Sequence, residues 1–334
     1  MTDKNNLGAF DRFRLAAAVL VIAIHTSPLW SVNETSNFLL TGVFARIAVP
    51  FFFAMTGYFA DFKSAARLGK LTVKTLAMYA AAIVIYLPFG TYSSTLKMIL
   101  FDGAFYHLWY FPACVAGAII VFALKKLPTL PAFVIAGALY VVGVFGDSYY
   151  GLTAGLPPVR AMYDFFSGIF SYTRNGLFFA PLFMLIGSAL AKRGLGEDRF
   201  GAGIGLAVSL ALMTVEGLLL RGIAFAPHDN MIFSLIPATV FLFDFLASFK
   251  VKPRPHYRKA AMWIYILHPI AGYWIGVLTA WLGIENFSAR HSLLNFVLVT
   301  VLSFAAAFGI ELVRRVCGRL FEAKHSVTGC RQAN

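Results

Sequence analysis

Charge is scarce in this chain, and acidic charge scarcest: only 13% of its 334 residues are Asp, Glu, Lys or Arg, with 15 acidic side chains against 28 basic ones. A soluble domain carries about a quarter charged residues, so a water-facing globule is excluded. Cysteine is nearly absent. Cys114, Cys317 and Cys330 are too few, odd in number and too far apart for a disulfide scaffold. Also missing are Cys-x-x-Cys, His-Glu-x-x-His, the Walker glycine loop and the Gly-x-Ser-x-Gly elbow, so no metal is expected and no nucleotide-loop or serine-hydrolase chemistry is indicated.

What is abundant is apolar. The chain is 59% hydrophobic, holds 34 Phe and has a mean hydropathy of +0.75. One core of this size cannot hide that much apolar surface, so the excess faces lipid, and the fold class expected is an all-α integral membrane protein. Runs near 20 residues give about ten transmembrane helices, roughly 13–31, 41–60, 72–90, 105–124, 131–146, 176–191, 201–220, 231–247, 260–282 and 293–313. No repeat, low-complexity tract or soluble domain interrupts them, which makes residues 1–334 a single transmembrane domain. The first run lacks a small-residue cleavage site and contains His25, so it reads as a retained span.

The formal charge of +13 would suggest nucleic acid in a soluble protein. The layout of the cations decides otherwise. With the N-terminus in the cytoplasm, 22 Lys and Arg fall on inward segments, five (Lys97, Arg160, Arg174, Arg221, Arg290) on outward ones, and Arg46 within the second span. The positive-inside rule is then obeyed at every loop, which implies both termini in the cytoplasm and the bilayer, not nucleic acid, as the partner.

Ionisable groups at membrane depth are expensive and mark function by default. Arg14 and His25 in the first span are eleven positions apart, which returns to within about 20° of one helix face and rises about 16 Å. One stripe thus carries a cation near the cytoplasmic surface and an imidazole deeper, the bland alternatives being a snorkelling anchor and a satisfied interhelical hydrogen bond. Arg46 lies a turn inside the outer end of the second span, ahead of Pro50. His107 and Trp109 open the fourth span on the outer side, Arg174 and Asn175 sit at the outer edge of the sixth, and His268 precedes Pro269 in the ninth. Glu216, Asp244 and Glu311 are the only acidic residues within spans, all near ends, so proton pumps and cation-coupled carriers are disfavoured. An interior with Arg14, His25, Arg46 and His268 but no central carboxylate suits an anionic ligand or a reaction that develops negative charge. A histidine without an acid neighbour in sequence suits general-base work.

These residues carry a resemblance. Arg14, ten residues and His25 are similar to the Arg-x10-His signature of the membrane-bound acyltransferase family 3, and Arg46 to Tyr58, Phe105 to Trp109 and Ile264 to Pro269 resemble further family segments. The closest-looking branches are the enterobacterial common antigen O-acetyltransferases and the membrane half of vancomycin-resistance serine racemases, the latter especially over Tyr106 to Ala113 and Thr173 to Phe179. The resemblance implies an O-acetyltransferase of the bacterial inner membrane. It would draw acetyl-CoA as acyl donor from the cytoplasm and acetylate a hydroxyl of a surface or lipid-linked glycan. It also implies a cytoplasmic CoA site at Arg67-Leu68-Gly69-Lys70, where the family's Arg-x-x-Arg keeps its charge, with Arg14 nearby. His25 would be the base, Arg46 would stabilise the oxyanion or bind the acceptor, and Arg46, His107, Trp109, Arg174, Asn175 and His268 would line the substrate site. The racemase branch implies a rival, a transporter of serine or a similar small amino acid with Arg46 or Arg174 on its carboxylate; a scaffold without catalysis is the third reading.

Overall fold

The computed structural model describes residues 7–60, 62, 64–89, 96–196, 198–223 and 230–331, apart from the side chains of residues 223 and 318–331. Lys4, Lys63 and the side chains of Arg319, Lys324 and Arg331, all part of the cation count, lie outside the described residues, as does the end of the third apolar run at residue 90. Among the described residues the structure is helical and contains no strand. It comprises two compact units, one made of Leu7–Asn37 with Val251–Asn334 and one containing Phe38–Lys250.

The terminal unit is built on α1 (Gly8–Thr26). Gly8 starts it because only a residue without Cβ fits: its N–H donates to Val251 O at 3.0 Å, and a Cβ there would stand 2.1 Å from that oxygen. The helix stops at Ser27, which is left-handed (φ 48°) and precedes Pro28. Ser292 pins the exit, accepting from Ser31 N at 3.0 Å and donating to Pro28 O at 2.9 Å. Two further long helices belong to this unit, and they are numbered α10 (Pro255–Trp281) and α11 (Ser292–Arg331) in chain order. Ala18 and Ile22 of α1 share one buried cluster with Ala260, Ala261 and Ile264 of α10 and with Val299 and Ala307 of α11. Alanine at these crossings lets the backbones approach, which is how helices associate where no hydrophobic driving force exists between them.

The second helix, α2 (Glu34–Phe59), enters the central unit through a wide turn at Leu39–Val43 and a tight one at Phe44–Ile47 before running regularly from Ala48. Pro50 has no N–H for the carbonyl of Arg46, and the change of helix type, between Ile47 and Ala48, falls within that turn. The central unit continues with α3 (Ala65–Tyr86), α4 (Tyr110–Leu124), α5 (Thr129–Phe145), α6 (Pro157–Ile169), α7 (Ala180–Arg193), α8 (Arg199–Ile223) and α9 (Leu235–Ala247). The crossing of α2 and α7 uses two glycines reciprocally: a Cβ on Gly57 would stand 1.9 Å from Met184 O, and one on Gly187 would stand 1.9 Å from Ala54 O.

All ten apolar runs fall on helices. Five of these, Glu34–Phe59, Ala65–Phe89, Arg199–Gly222, Pro255–Trp281 and Ser292–Cys317, are long and apolar enough to cross a membrane by themselves, and Tyr110–Leu124, Thr129–Phe145 and Leu235–Ala247 are shorter apolar helices. The limits differ from expectation where turn chemistry intervenes. The first run ends at Thr26 and not near 31. The fourth begins at Tyr110, so that His107 to Trp109 form a turn before it. One helix, α6, was not foreseen, because its Arg160, Asp164 and exposed face keep it from reading as an apolar run.

Candidate functional site

In the terminal unit, α1 runs unbroken from Gly8 to Thr26 and so keeps Arg14 and His25 on one face. His25 does not stand alone. Its ring stacks on that of His268 from α10, centroids 5.2 Å apart and planes at 27°. His25 is exposed, whereas His268 is buried. The proline next to His268 explains how that ring is held. Pro269 lacks the N–H that would satisfy the Tyr265 carbonyl four residues back, and His268 Nδ1 lies 2.8 Å from that oxygen and 3.3 Å from Ile264 O. A carbonyl only accepts, so Nδ1 carries the hydrogen and Nε2 the lone pair.

Arg14 is held by a residue the sequence did not single out. Asp11 is fully buried, and its carboxylate accepts from Arg14 Nη1 at 2.7 Å, Arg258 Nε at 2.7 Å and Nη2 at 3.4 Å, and Arg254 N at 2.8 Å. Two guanidiniums therefore share one counter-charge at the base of α1 and α10. The Asp11–Arg14 spacing of three was the local signal; its partners at 254 and 258 carried none.

The central unit brings together Arg46 and Arg174, on segments 128 residues apart. Arg46 Nη1 donates to Asn230 Oδ1 at 2.5 Å and Arg174 Nη1 to the same oxygen at 3.4 Å. The orientation of that amide is settled by Asp147, which is buried and can only accept: its Oδ2 takes Asn230 Nδ2 at 3.1 Å and its Oδ1 takes the Asn230 and Met231 N–H groups at 2.7 and 3.0 Å. The amide oxygen is thereby turned toward both arginines. The Arg174 guanidinium lies over the rings of Tyr172 at 4.5 Å and Trp109 at 5.2 Å, which fix its plane. Two guanidiniums thus converge on one neutral oxygen, with the Asp147 carboxylate behind it. Asn230 and Asp147 were missed, and nothing local in the sequence marks them.

The other expected residues fall elsewhere in this unit. His107 is buried among the rings of Tyr86, Phe105 and Tyr106, with centroids 5.2 to 5.3 Å away. Asn175 holds its own turn, donating to Tyr172 O at 2.8 Å and accepting from Leu177 N and Phe178 N at 2.9 and 3.1 Å. Arg67 and Lys70 are exposed in the first two turns of α3, three positions apart on one face, where Ser64 caps the helix by accepting from Arg67 N at 3.3 Å.

Several helices of membrane length and apolar character define a multi-pass membrane protein. Residues 7–312 match the family model described as an acyltransferase domain, and the chain belongs to that membrane acyltransferase family 3. Among curated proteins it is similar to an amino-acid racemase of Enterococcus faecalis (38% identical over 278 residues, 78% of this chain and 39% of that protein). A second amino-acid racemase of the same organism is 32% identical over 328 residues, 91% of this chain and 46% of its own length. A serine/alanine racemase of Enterococcus gallinarum is 30% identical over 315 residues, 88% and 44% respectively. The chain thus spans less than half the length of these relatives. No solved structure matches it.

Proposed function

We propose that the protein is an O-acyltransferase of the bacterial cytoplasmic membrane, crossing it about ten times with both ends inside. In this reading it takes an acetyl group from cytoplasmic acetyl-CoA and passes it to a hydroxyl of a surface or lipid-linked glycan. The observation that carries the reading is His25: an exposed imidazole on the Arg14 face of α1, stacked on a His268 whose tautomer is held by the carbonyl that Pro269 frees. His25 removes the acceptor's hydroxyl proton as the oxygen attacks the thioester carbonyl, and the CoA thiolate departs with that proton. An imidazole serves near neutral pH because it titrates there. Arg67 and Lys70 take the CoA phosphates. Arg46 holds the acceptor or the developing oxyanion, and Trp109 and Arg174 line the same subsite. Arg14, already engaged by Asp11, sets the inner end of the stripe.

A second reading, carriage of serine or a similar small amino acid, is favoured by one observation: Arg46 and Arg174 meet on the single oxygen of Asn230, an arrangement that suits a carboxylate. The relatives are named amino-acid and serine/alanine racemases, so small amino acids are the molecules their names mention. Incubation of the purified protein with labelled acetyl-CoA and a glycan acceptor separates the two. Label on the acceptor is expected; none on any acceptor, together with uptake of labelled serine into proteoliposomes, would replace the enzyme by a carrier.

A further inference from the structure

The central unit contains a cavity of about 70 Å³ between the start of α5 and the end of α7, lined by Lys125, Thr129, Ser188 and Lys192 on its polar side and by apolar side chains that include Leu127 and Phe133. We propose that this cavity binds the phosphate group of an anionic membrane lipid.

The polar half is built for an anion. Lys125 follows α4, and its Nζ donates to Ser188 Oγ while lying 5.5 Å from the centroid of the Phe62 ring, so the ammonium is positioned by two contacts and not trailing in solvent. Lys192 is four residues beyond Ser188 on α7, one turn further along the same face. Thr129 begins α5 at the cavity's edge, so the positive end of that helix dipole adds to the two ammonium groups. No carboxylate is among the described residues that line the cavity. The nearby Arg193 is in a different situation, since Asp244 holds its guanidinium at 2.5 and 2.8 Å.

The apolar half selects the source of the phosphate. Leu127, which lines the cavity just before α5, and Leu130 and Val134 in the first turns of α5 are 43%, 74% and 60% exposed. Exposed leucine and valine flanking a lysine pair is the pattern of a helix end at the headgroup level, with acyl chains against the apolar surface and phosphate against the cations. A soluble phosphate ester would gain nothing from those side chains. On the topology proposed above, this end of α4, α5 and α7 faces the cytoplasmic leaflet.

Native mass spectrometry of the purified full chain, released from micelles containing phosphatidylglycerol or phosphatidylcholine, reads lipid retention without any acyl donor, so its outcome is independent of the enzymatic reading. Retention of phosphatidylglycerol over phosphatidylcholine is expected. Lys192→Gln, at an exposed position, should lower it about fivefold, the usual scale for one basic side chain at a charged bilayer surface, and Lys125→Gln/Lys192→Gln should lower it further. Lys126→Gln is the control: that side chain lies over the Phe122 ring and does not line the cavity. Equal retention by wild type and Lys192→Gln, or an equal loss in Lys126→Gln, would overturn the site. Displacement of phosphatidylglycerol by millimolar inorganic phosphate would overturn the lipid as occupant and leave a soluble phosphate in its place.

Discussion

Replacing Asp11 by asparagine isolates the ion cluster at the base of α1 from every other feature of the protein. The substitution keeps the side chain's size and one oxygen, but removes the charge and turns the other oxygen into a donor. Oδ1 now serves Arg14 and Arg258 Nε, and Oδ2 serves Arg254 N and Arg258 Nη2. Whichever way the asparagine turns, its NH2 faces two donors, so two bonds are lost and two guanidiniums lose their counter-charge. Breaking a buried pair from one side costs about 3–5 kcal/mol. The lower end applies here, because the Arg258 side chain is 41% exposed and recovers water while Arg14, at 13%, does not. About 3 kcal/mol, set against an unfolding entropy of about 0.7 kcal/mol/K for 334 residues, corresponds to a fall in thermal midpoint of roughly 4 °C. Thermal unfolding of the detergent-solubilised protein, followed by circular dichroism, measures it directly. A midpoint within about 2 °C of wild type would refute the claim that Asp11 ties α1 to α10.

Reporter fusions at Asn33, Gly155 and Glu285 should all map outside the cell; a cytoplasmic signal at Asn33 would invert the topology and every assignment of inner and outer residues. Arg67→Ala/Lys70→Ala should weaken CoA binding in calorimetry by about tenfold or more through the loss of two charge-assisted contacts, and equal affinity would remove both residues from the donor site. Gly187→Ala should abolish most folded yield, since the new Cβ would stand 1.9 Å from a backbone oxygen of α2 and overpacking of that kind costs about 3 kcal/mol or more. A normal yield of Gly187→Ala, with an unchanged midpoint, would contradict the close crossing.

The helices were legible because lipid leaves a strong one-dimensional record: each run of about 20 apolar residues falls on a helix, and the Arg14–His25 stripe follows from helical period alone. Their ends were less legible. The turn at His107 to Trp109 and the stop at Thr26 depend on backbone conformations that the apolar pattern does not encode. Least legible were the partners. His25 read as a lone imidazole because His268 is 243 residues away, and the ion cluster around Asp11 went unread because Arg254 and Arg258 are equally distant. Asn230 joins Arg46 and Arg174 only through tertiary packing, and its orientation depends on Asp147, a residue in an otherwise ordinary segment. The proline at 269 was visible, but what it does, freeing the Tyr265 carbonyl that sets the His268 tautomer, required the side-chain geometry.

The central claim is that His25 moves a proton during acyl transfer, and His25→Gln tests it most directly, because glutamine keeps size and hydrogen-bonding capacity while abolishing proton transfer. The measurement is the rate at which purified protein passes label from acetyl-CoA to a glycan acceptor, taken beside folded yield and CoA affinity. The account predicts a loss of about 10² or more in rate with yield and affinity nearly unchanged. A His25→Gln protein that transfers acetyl groups at close to the wild-type rate would contradict it.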